Sequence, residues 1–477
     1  MVRGAVTTTQ GKGNWICLSV VVALGLALAS CHQSGGGGFT VDGGGGGGGT
    51  TPNFVLFAED QASGNVLSFE LTISSITMST ATGSPVTVLP SAEAVQLEWR
   101  HLGLAPTVIQ TASLAAGTYT TMNVTVVSPQ MTVFDPLTAS FPSVTPLACT
   151  GASFNVSLPI NLVIASGTVT GARLDLNLRD SIEFDAMNNL CLRPLFDVVP
   201  TSFIVGQLPG DFDGVLGTVS NLSPTGSRFD FTVFSANELV TVLTDTNTNF
   251  EGATSLSNLA NGERVLVDAQ LQSTGDYLGQ DVIRETTSTS AQQLRGLVLS
   301  RTPISGGGDL TSMNLLVHDA IPTPPGAQEP GEIVTITVDA STLFRISTED
   351  LTVAIFPNLD FDRQTLRIGQ FVHVVQRVGA TGFTADSITL GEISLTGTVG
   401  ANVGFNSFDF IPDGDIFPNN SLGQVTVVTD VVTEFEDMPA GLGSLQPNIS
   451  IVGVRGVLVF QGGNGVLVTK RVRLLGP

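Results

Sequence analysis

The chain is 477 residues long, with a formal net charge of −22 and only 13% charged residues. No basic cluster is present to meet a phosphate backbone, so nucleic acid is excluded as an expected partner; anionic membrane surfaces, and polyanionic glycans not bridged by metal ions, are repelled as well. The length suits several domains, and a palette led by Val, Thr, Leu, Gly and Ser is that of β-rich exported proteins.

Residues 1–30 read as an address rather than as part of the fold. Arg3 and Lys12 give a positive start, and Trp15 to Ala29 is an apolar run of signal-peptide length, short for a membrane span. It closes on Leu28-Ala29-Ser30-Cys31, which resembles the lipobox of bacterial lipoproteins. The resemblance implies cleavage before Cys31, lipid on its thiol and an acylated amino terminus, an anchor far stronger than a single chain. An ordinary cleaved signal with Cys31 incidental is the alternative. Without residues 1–30, Lys+Arg fall from 19 to 17 against 41 acids, and the net charge becomes −24.

Residues 31–51 hold runs of four and seven glycines and cannot bury a core. A coil of this kind reaches about 25 Å, so the folded part is expected near a membrane but free to swivel. His32 follows Cys31 where an inner-membrane retention signal usually carries Asp, which favours the outer membrane. Of the other cysteines, Cys17 leaves with the signal, so Cys149 and Cys191 form one pair in an oxidising compartment. A disulfide between them is the expectation, with a two-cysteine metal site as the alternative.

Residues 52–205 alternate with period two. Leu67, Phe69, Leu71 and Ile73 share a face, as do Phe154, Val156, Leu158, Ile160, Leu162 and Ile164. Leu174, Leu176 and Leu178 form a third row, with Asp175, Asn177 and Arg179 expected to point away. One-sided strands need a second sheet to cover them, which predicts a β-sandwich. Only SAEAVQLEWRHLG offers a short helix, and it reads equally well as strand and turn. The stretches VLSFELTISSITM, VQLEWRHLG, LAAGTYTTMNVTV and LDLNLRDSIEF resemble the envelope family known as domain of unknown function 4382. The resemblance implies fold and compartment and carries no activity. Trp99 and Tyr119 are read as core anchors in preference to ligand-stacking rings.

Beyond residue 210 one pattern is written three times: VTVLTDTNTNF at 240–250, VTITVDASTLF at 334–344 and VTVVTDVVTEF at 425–435. G-x-V precedes each copy, beginning at Gly217, Gly296 and Gly397. An L-x-x-[GN] turn follows, as Leu259/Gly262, Leu366/Gly369 and Leu445/Asn448. Asn in the third copy still tolerates the positive φ of a turn. The aspartates are 94 and 91 residues apart, a domain-sized repeat of about five strands each. A small closed barrel suits that count, because closure removes exposed edges. The G-x-V opening, D-x-x-T-x-F corner and L-x-x-G turn resemble domain of unknown function 5666, a tandem OB-like module of exported bacterial proteins. The expected fold is therefore all-β: a sandwich over 52–205, then barrel repeats over 214–290, 294–391 and 394–477.

Asp245, Asp339 and Asp430, each with Thr three residues on, admit a calcium or glycan site used three times. One carboxylate and one hydroxyl fall short of the roughly six to eight oxygens that calcium takes. The stronger reading has Asp capping a turn and Phe250, Phe344 and Phe435 plugging the barrels. Copy two carries two insertions: Gly296 to Asp339 spans 43 residues against 28 and 33, and Phe344 to Leu366 spans 22 against 9 and 10. Loops on rigid barrels are common places for binding groups, so His318, Phe356, Asp360, Phe361 and Asp362 are the candidate binding residues. Tolerated loop length is the plainer explanation. His373, between Val372 and Val374, is expected to face solvent.

The histidines His32, His101, His318 and His373 form no H-E-x-x-H, and neither G-x-S-x-G nor a phosphate-cradling loop occurs. DFDG at 211–214 and PDGD at 412–415 resemble fragments of calcium loops, which linker turns explain more simply. No catalytic residue and no cofactor is nominated, calcium being the one ion considered. The expected function is a lipid-anchored, non-catalytic envelope module that binds a glycan or an envelope protein. A carboxylate-based hydrolase of an extracellular polymer and a purely structural spacer are the alternatives.

Overall fold

A computed structural model describes residues 53–60, 66–102, 106–135, 140–185, 189–201, 211–234, 237–284, 291–303, 309–321, 328, 330–346, 361–380, 382–413, 423–431, 433–461 and 464–476. Cys31, the glycine tether, Phe356 and Asp360 lie outside them, as do the side chains of His101 and of residues 211–213. The described body is all-β. Among the described residues no helix is long and apolar enough to cross a membrane.

The first region is a sandwich. Its larger sheet is built on two long antiparallel strands, Val66–Thr80 and Gly117–Val133, with Ile76 opposite Val124. Val86–Leu89 and Val95–Glu98 pair with the first, and Ser143–Val144 and Asn155–Ile164 with the second. The smaller sheet runs in the order Phe196–Thr201, Thr170–Leu176, Phe54–Asp60, Thr107–Ala112, its central pair parallel. Phe54, Leu56, Leu174 and Leu176 from it pack on Phe69, Leu71, Ile73 and Leu162, so the two alternating rows meet as a core. Trp99 is fully buried, edge-on to Phe196 at 5.8 Å. Tyr119 is buried too, its hydroxyl donating to the Ala115 carbonyl at 3.2 Å.

Two expectations about this region need correction, and one open reading is decided. The strand ends at Leu176, although Leu178 stays in the same core: Leu178–Ser181 is one helical turn, because the Asn177 side chain accepts the Asp180 N–H at 3.1 Å and caps it. The SAEAVQLEWRHLG piece is a strand, Val95–Glu98, between two 3-10 turns. Asp175 does not point to water; it is 2% exposed, because the sheet is covered on its second face as well. Val55, Phe57 and Val108 of that face join the core of the first barrel.

Three six-stranded sheets follow in one topology. The first orders Glu238–Leu243, Arg228–Val233, Asp211–Ser223, Arg264–Leu271, Tyr277–Arg284 and Asn249–Glu251, and closes by pairing Val242 with Tyr277. The third, from Glu392–Val403 to Asn464–Gly476, closes through Val427 and Leu467. In the middle one, from Gln293–Thr302 to Ala385–Leu390, a single bridge between Thr337 and Thr384 joins the ends.

The repeated motifs are the joints of these barrels. A Cβ on Gly217, Gly296 or Gly397 would run into the carbonyl oxygen of Thr232, Leu316 or Ile411 on the neighbouring strand, so only glycine fits the G-x-V opening. Two residues on, the Val carbonyl accepts from the turn residue: Gly262 to Val219 at 2.8 Å, Gly369 to Val298 at 2.9 Å and Asn448 to Val399 at 2.9 Å. All three donors have positive φ, of 86°, 89° and 60°, which is why Asn can stand in for Gly there.

Candidate functional site

The aspartates of the triplicated motif are turn caps. Asp245 accepts from the backbone of Asn247 at 2.8 Å and Thr248 at 3.1 Å, while the Thr248 hydroxyl accepts the Asp245 N–H at 2.9 Å. Asp339 accepts from Ser341 at 2.9 Å and Asp430 from Thr433 at 3.0 Å. Each threonine then donates across the barrel: Thr248 to Gly279 at 2.7 Å, Thr342 to Ala385 at 3.0 Å and Thr433 to Thr469 at 2.8 Å. Phe250, Phe344 and Phe435 are half-buried against the three barrel cores. In the middle copy Arg377 reaches Asp339 at 2.6 Å and holds its carboxyl far below the ordinary carboxylate range.

The candidate residues of the middle barrel separate. Asp362 repeats the same cap, accepting from Gln364 at 2.7 Å and Thr365 at 2.8 Å. Partial burial pulls its pKa upward, but those N–H groups outweigh it and leave it lowered. Phe361 turns inward, edge-on to Phe344 at 5.5 Å. His318 does not sit on an exposed insertion loop. It lies on the strand Ser312–Ile321, 7% exposed, with Nδ1 at 2.8 Å from Glu98 of the sandwich and its ring edge-on to Phe371 at 5.5 Å. His373 is half-buried instead of facing solvent, with Nε2 at 2.8 Å from Gln293.

Two polar features escaped sequence reasoning, and both lie where modules meet. One is a charge network between the sandwich and the third barrel. Arg173 is 2.9 Å from Glu59 and 2.9 Å from Glu436, and Arg473 is 3.5 Å from Glu59 and 3.6 Å from Asp175. Glu59 has no exposed surface. Burial, only partly offset by Arg173, pushes it up to about 7. Burial and the neighbouring Asp175 carboxylate push Asp60 up in the same way. Arg100 adds a bond across this boundary to the Ser394 carbonyl at 2.7 Å, and Lys470 of the third barrel reaches Asp268 of the first at 2.8 Å.

The second feature is a cleft of about 130 Å³ where the sandwich, first barrel and middle barrel converge. Glu98, His318, Arg295 and Asp319 line it, with Leu97, Leu102, Leu216 and Phe234 as apolar wall. The Glu98 carboxylate is held twice, by His318 and by the Phe69 N–H at 2.8 Å. Its position is set by the end of Val95–Glu98, while Arg295 and Asp319 face each other in the register of the middle barrel.

Cys149 and Cys191 are joined as a disulfide across a separation of 42 residues. Glu183 lies close to both sulfurs but is paired with Arg193 at 2.7 Å, and bonded sulfurs are not thiolate ligands.

With the first barrel bounded by its G-x-V glycine and the strand Tyr277–Arg284, the comparison with known families falls on that unit. Residues 217–282 match the family described as Domain of unknown function (DUF5666). The matched segment begins on Gly217, the glycine that touches Thr232, and ends on Val282 inside the barrel core. No curated protein matches the chain.

Proposed function

We propose that this chain is a lipid-anchored cell-envelope protein whose folded body is a non-catalytic binding or assembly module. The apolar run before Cys31, the small residues leading to it and the glycine tether support the anchor, and His32 favours the outer membrane. The Cys149–Cys191 disulfide suits an oxidising compartment. Residues 52–205 are taken to be related to domain of unknown function 4382. The middle and third barrels are taken as further copies of the matched module, on the strength of their common strand order.

The observation that carries the reading is the wiring between modules. The ion pairs Glu59–Arg173–Glu436 and Lys470–Asp268, with the polar contact Glu98–His318, tie sandwich and barrels into one body. A body braced in this way can hold clefts and loops in fixed relation, which is what a binding or assembly part requires. The partners expected are the membrane, through the lipid, and a glycan or envelope protein.

The test is metabolic labelling with a radioactive fatty acid, followed by fractionation. Cys31→Ser is expected to lose label and move to the soluble fraction, and a membrane-bound, unlabelled wild type would overturn the anchor. Turnover of any polysaccharide or peptide by the purified protein would overturn the non-catalytic reading.

A further inference from the structure

One end of the third barrel shows apolar side chains to water. Phe405, in the turn joining Glu392–Val403 to Ser407–Pro412, is fully exposed, and Val431, next to the cap Asp430, is 98% exposed. Ile449, after the turn residue Asn448, is 54% exposed. Backbone bonds hold these loops at one end of the barrel: the Thr429 N–H donates to the Asn406 carbonyl, and Val399 accepts from Asn448 and donates to Ser450, all at 2.9 Å. The fold does not require apolar groups there. In the first barrel, which has the same strand order, Thr246 follows its Asp as Val431 does, and Glu263 follows its turn glycine as Ile449 follows Asn448. Glu263 is paired with Arg284 at 3.0 Å. Single exposed hydrophobics are ordinary, but three on adjoining loop ends form a patch.

Charge and shape narrow what covers it. Segments 399–408, 429–433 and 446–451 contain no Lys or Arg, and their one acid, Asp430, accepts the Thr433 N–H at 3.0 Å. Three protruding side chains offer far less than the roughly 800 Å² per partner of a stable protein interface. A bilayer needs no matching surface. The tether also reaches. Asn53, the first described residue, accepts from Thr170, three residues along the strand from Arg173. Gly476 lies opposite Ile451 at the tip, three residues beyond Arg473, which stands opposite Glu436. Each is about 10 Å along a strand from the Arg173–Glu436 contact. The tip therefore lies inside the roughly 70 Å that segment 31–51 spans when stretched.

We propose that this tip is a second membrane contact, in which Phe405, Val431 and Ile449 enter the bilayer that carries the lipid of Cys31. The inference rests on the anchored reading and adds where the folded body touches the membrane. Insertion of three side chains is weak by itself, as binding through a single acyl chain is. The anchor makes it an intramolecular step at high effective concentration. The consequence is a body held in one orientation over the membrane, third barrel down, in place of one that swivels. The lipid met is zwitterionic, because a tip without cations on a chain of net charge −22 has nothing to offer an anionic headgroup.

The test uses the mature lipoprotein, purified from membranes and reconstituted into phosphatidylcholine vesicles whose acyl chains carry bromine, a contact quencher of indole fluorescence. The wild type supplies the background, since Trp99 is fully buried and Trp15 leaves with the signal. Phe405→Trp and Val431→Trp each place an indole at the tip, and Thr246→Trp places one at the matching turn of the first barrel. Bromine is expected to quench the first two about threefold more than the third, or better. Val431→Asp with Ile449→Asp should lower the quenching of Phe405→Trp by a similar factor. Equal quenching at all three positions, or tip indoles that stay open to aqueous acrylamide, would overturn the contact. Tip indoles shielded from both quenchers would overturn it too, because a second copy or another protein would then cover the patch. Flotation of the same vesicles separates the two readings. Protein that floats with its tip open to water loses the contact and keeps the anchor; protein that does not float loses both.

Discussion

Arg173 of the sandwich and Glu436 of the third barrel meet at 2.9 Å although 263 residues separate them in the chain. The same guanidinium contacts Glu59, so one arginine neutralises two carboxylates across a module boundary. Removing it leaves Glu59 buried with Arg473 as its remaining close cation, at 3.5 Å. Arg173→Met is expected to lower unfolding stability by about 3–5 kcal/mol, because the buried Glu59 and Glu436 then lose their shorter ion pairs and share the more distant Arg473. Urea denaturation of the two proteins measures this, and a loss below about 1 kcal/mol would mean that the network contributes no more than an ordinary surface pair.

The same network predicts a pH dependence opposite in sign to ordinary acid denaturation. Glu59 ionises near 4.5 in an unfolded chain and near 7 in the fold, so between those values the folded state binds more protons. Stability from this group is therefore fully present below about 4.5 and declines as pH rises through 7. Asp60, also raised by burial, acts in the same direction. Glu436 is lowered, its burial outweighed by Arg173 and Arg473, and its contribution is lost only in stronger acid. Comparing melts at about pH 5 and about pH 8, Glu59→Gln should flatten the decline seen in the wild type. An identical slope in both proteins would remove Glu59 as the cause.

The motif glycines should fall into two classes. Gly217→Ala, Gly296→Ala and Gly397→Ala each push a methyl into a neighbouring carbonyl, and each should cost about 3 kcal/mol. Gly262→Ala meets no atom within 4 Å and strains only a positive φ, about 1–2 kcal/mol; Gly369→Ala strains a positive φ as well. Asn448→Gly should change stability by no more than about half a kcal/mol. Chemical denaturation ranks the series, and a reversed order would show that the G-x-V approach is not the tighter constraint.

Calcium should leave the barrels unmoved. The carboxylates of Asp245, Asp430 and Asp362 are occupied by backbone N–H groups, and Asp339 by Arg377 as well. Melting temperatures with calcium and with a chelator are expected to coincide. A rise of several degrees with calcium would reinstate the Asp-x-x-Thr turns as a cation site.

What could be read in the sequence was what local chemistry dictates. Alternation marked the strands whose apolar rows meet in the sandwich core, and the thrice-repeated G-x-V, Asp-x-x-Thr and L-x-x-[GN] elements act within about a strand's reach of one another. The positive φ of Asn448 followed from its place among two glycines. Alternation also separated Asp175 from the leucines beside it, but it could not say what would cover that second face. The first barrel covers Val55, Phe57 and Val108, and residues 434–476 of the third bring Glu436 and Arg473 to Arg173 and Asp175. Arg295 and His318 are likewise adjacent to the cleft only because three modules converge on it. A polar residue facing outward from its own sheet has the same pattern whether water or another domain lies beyond. Tertiary packing alone decided which of these charges would be buried.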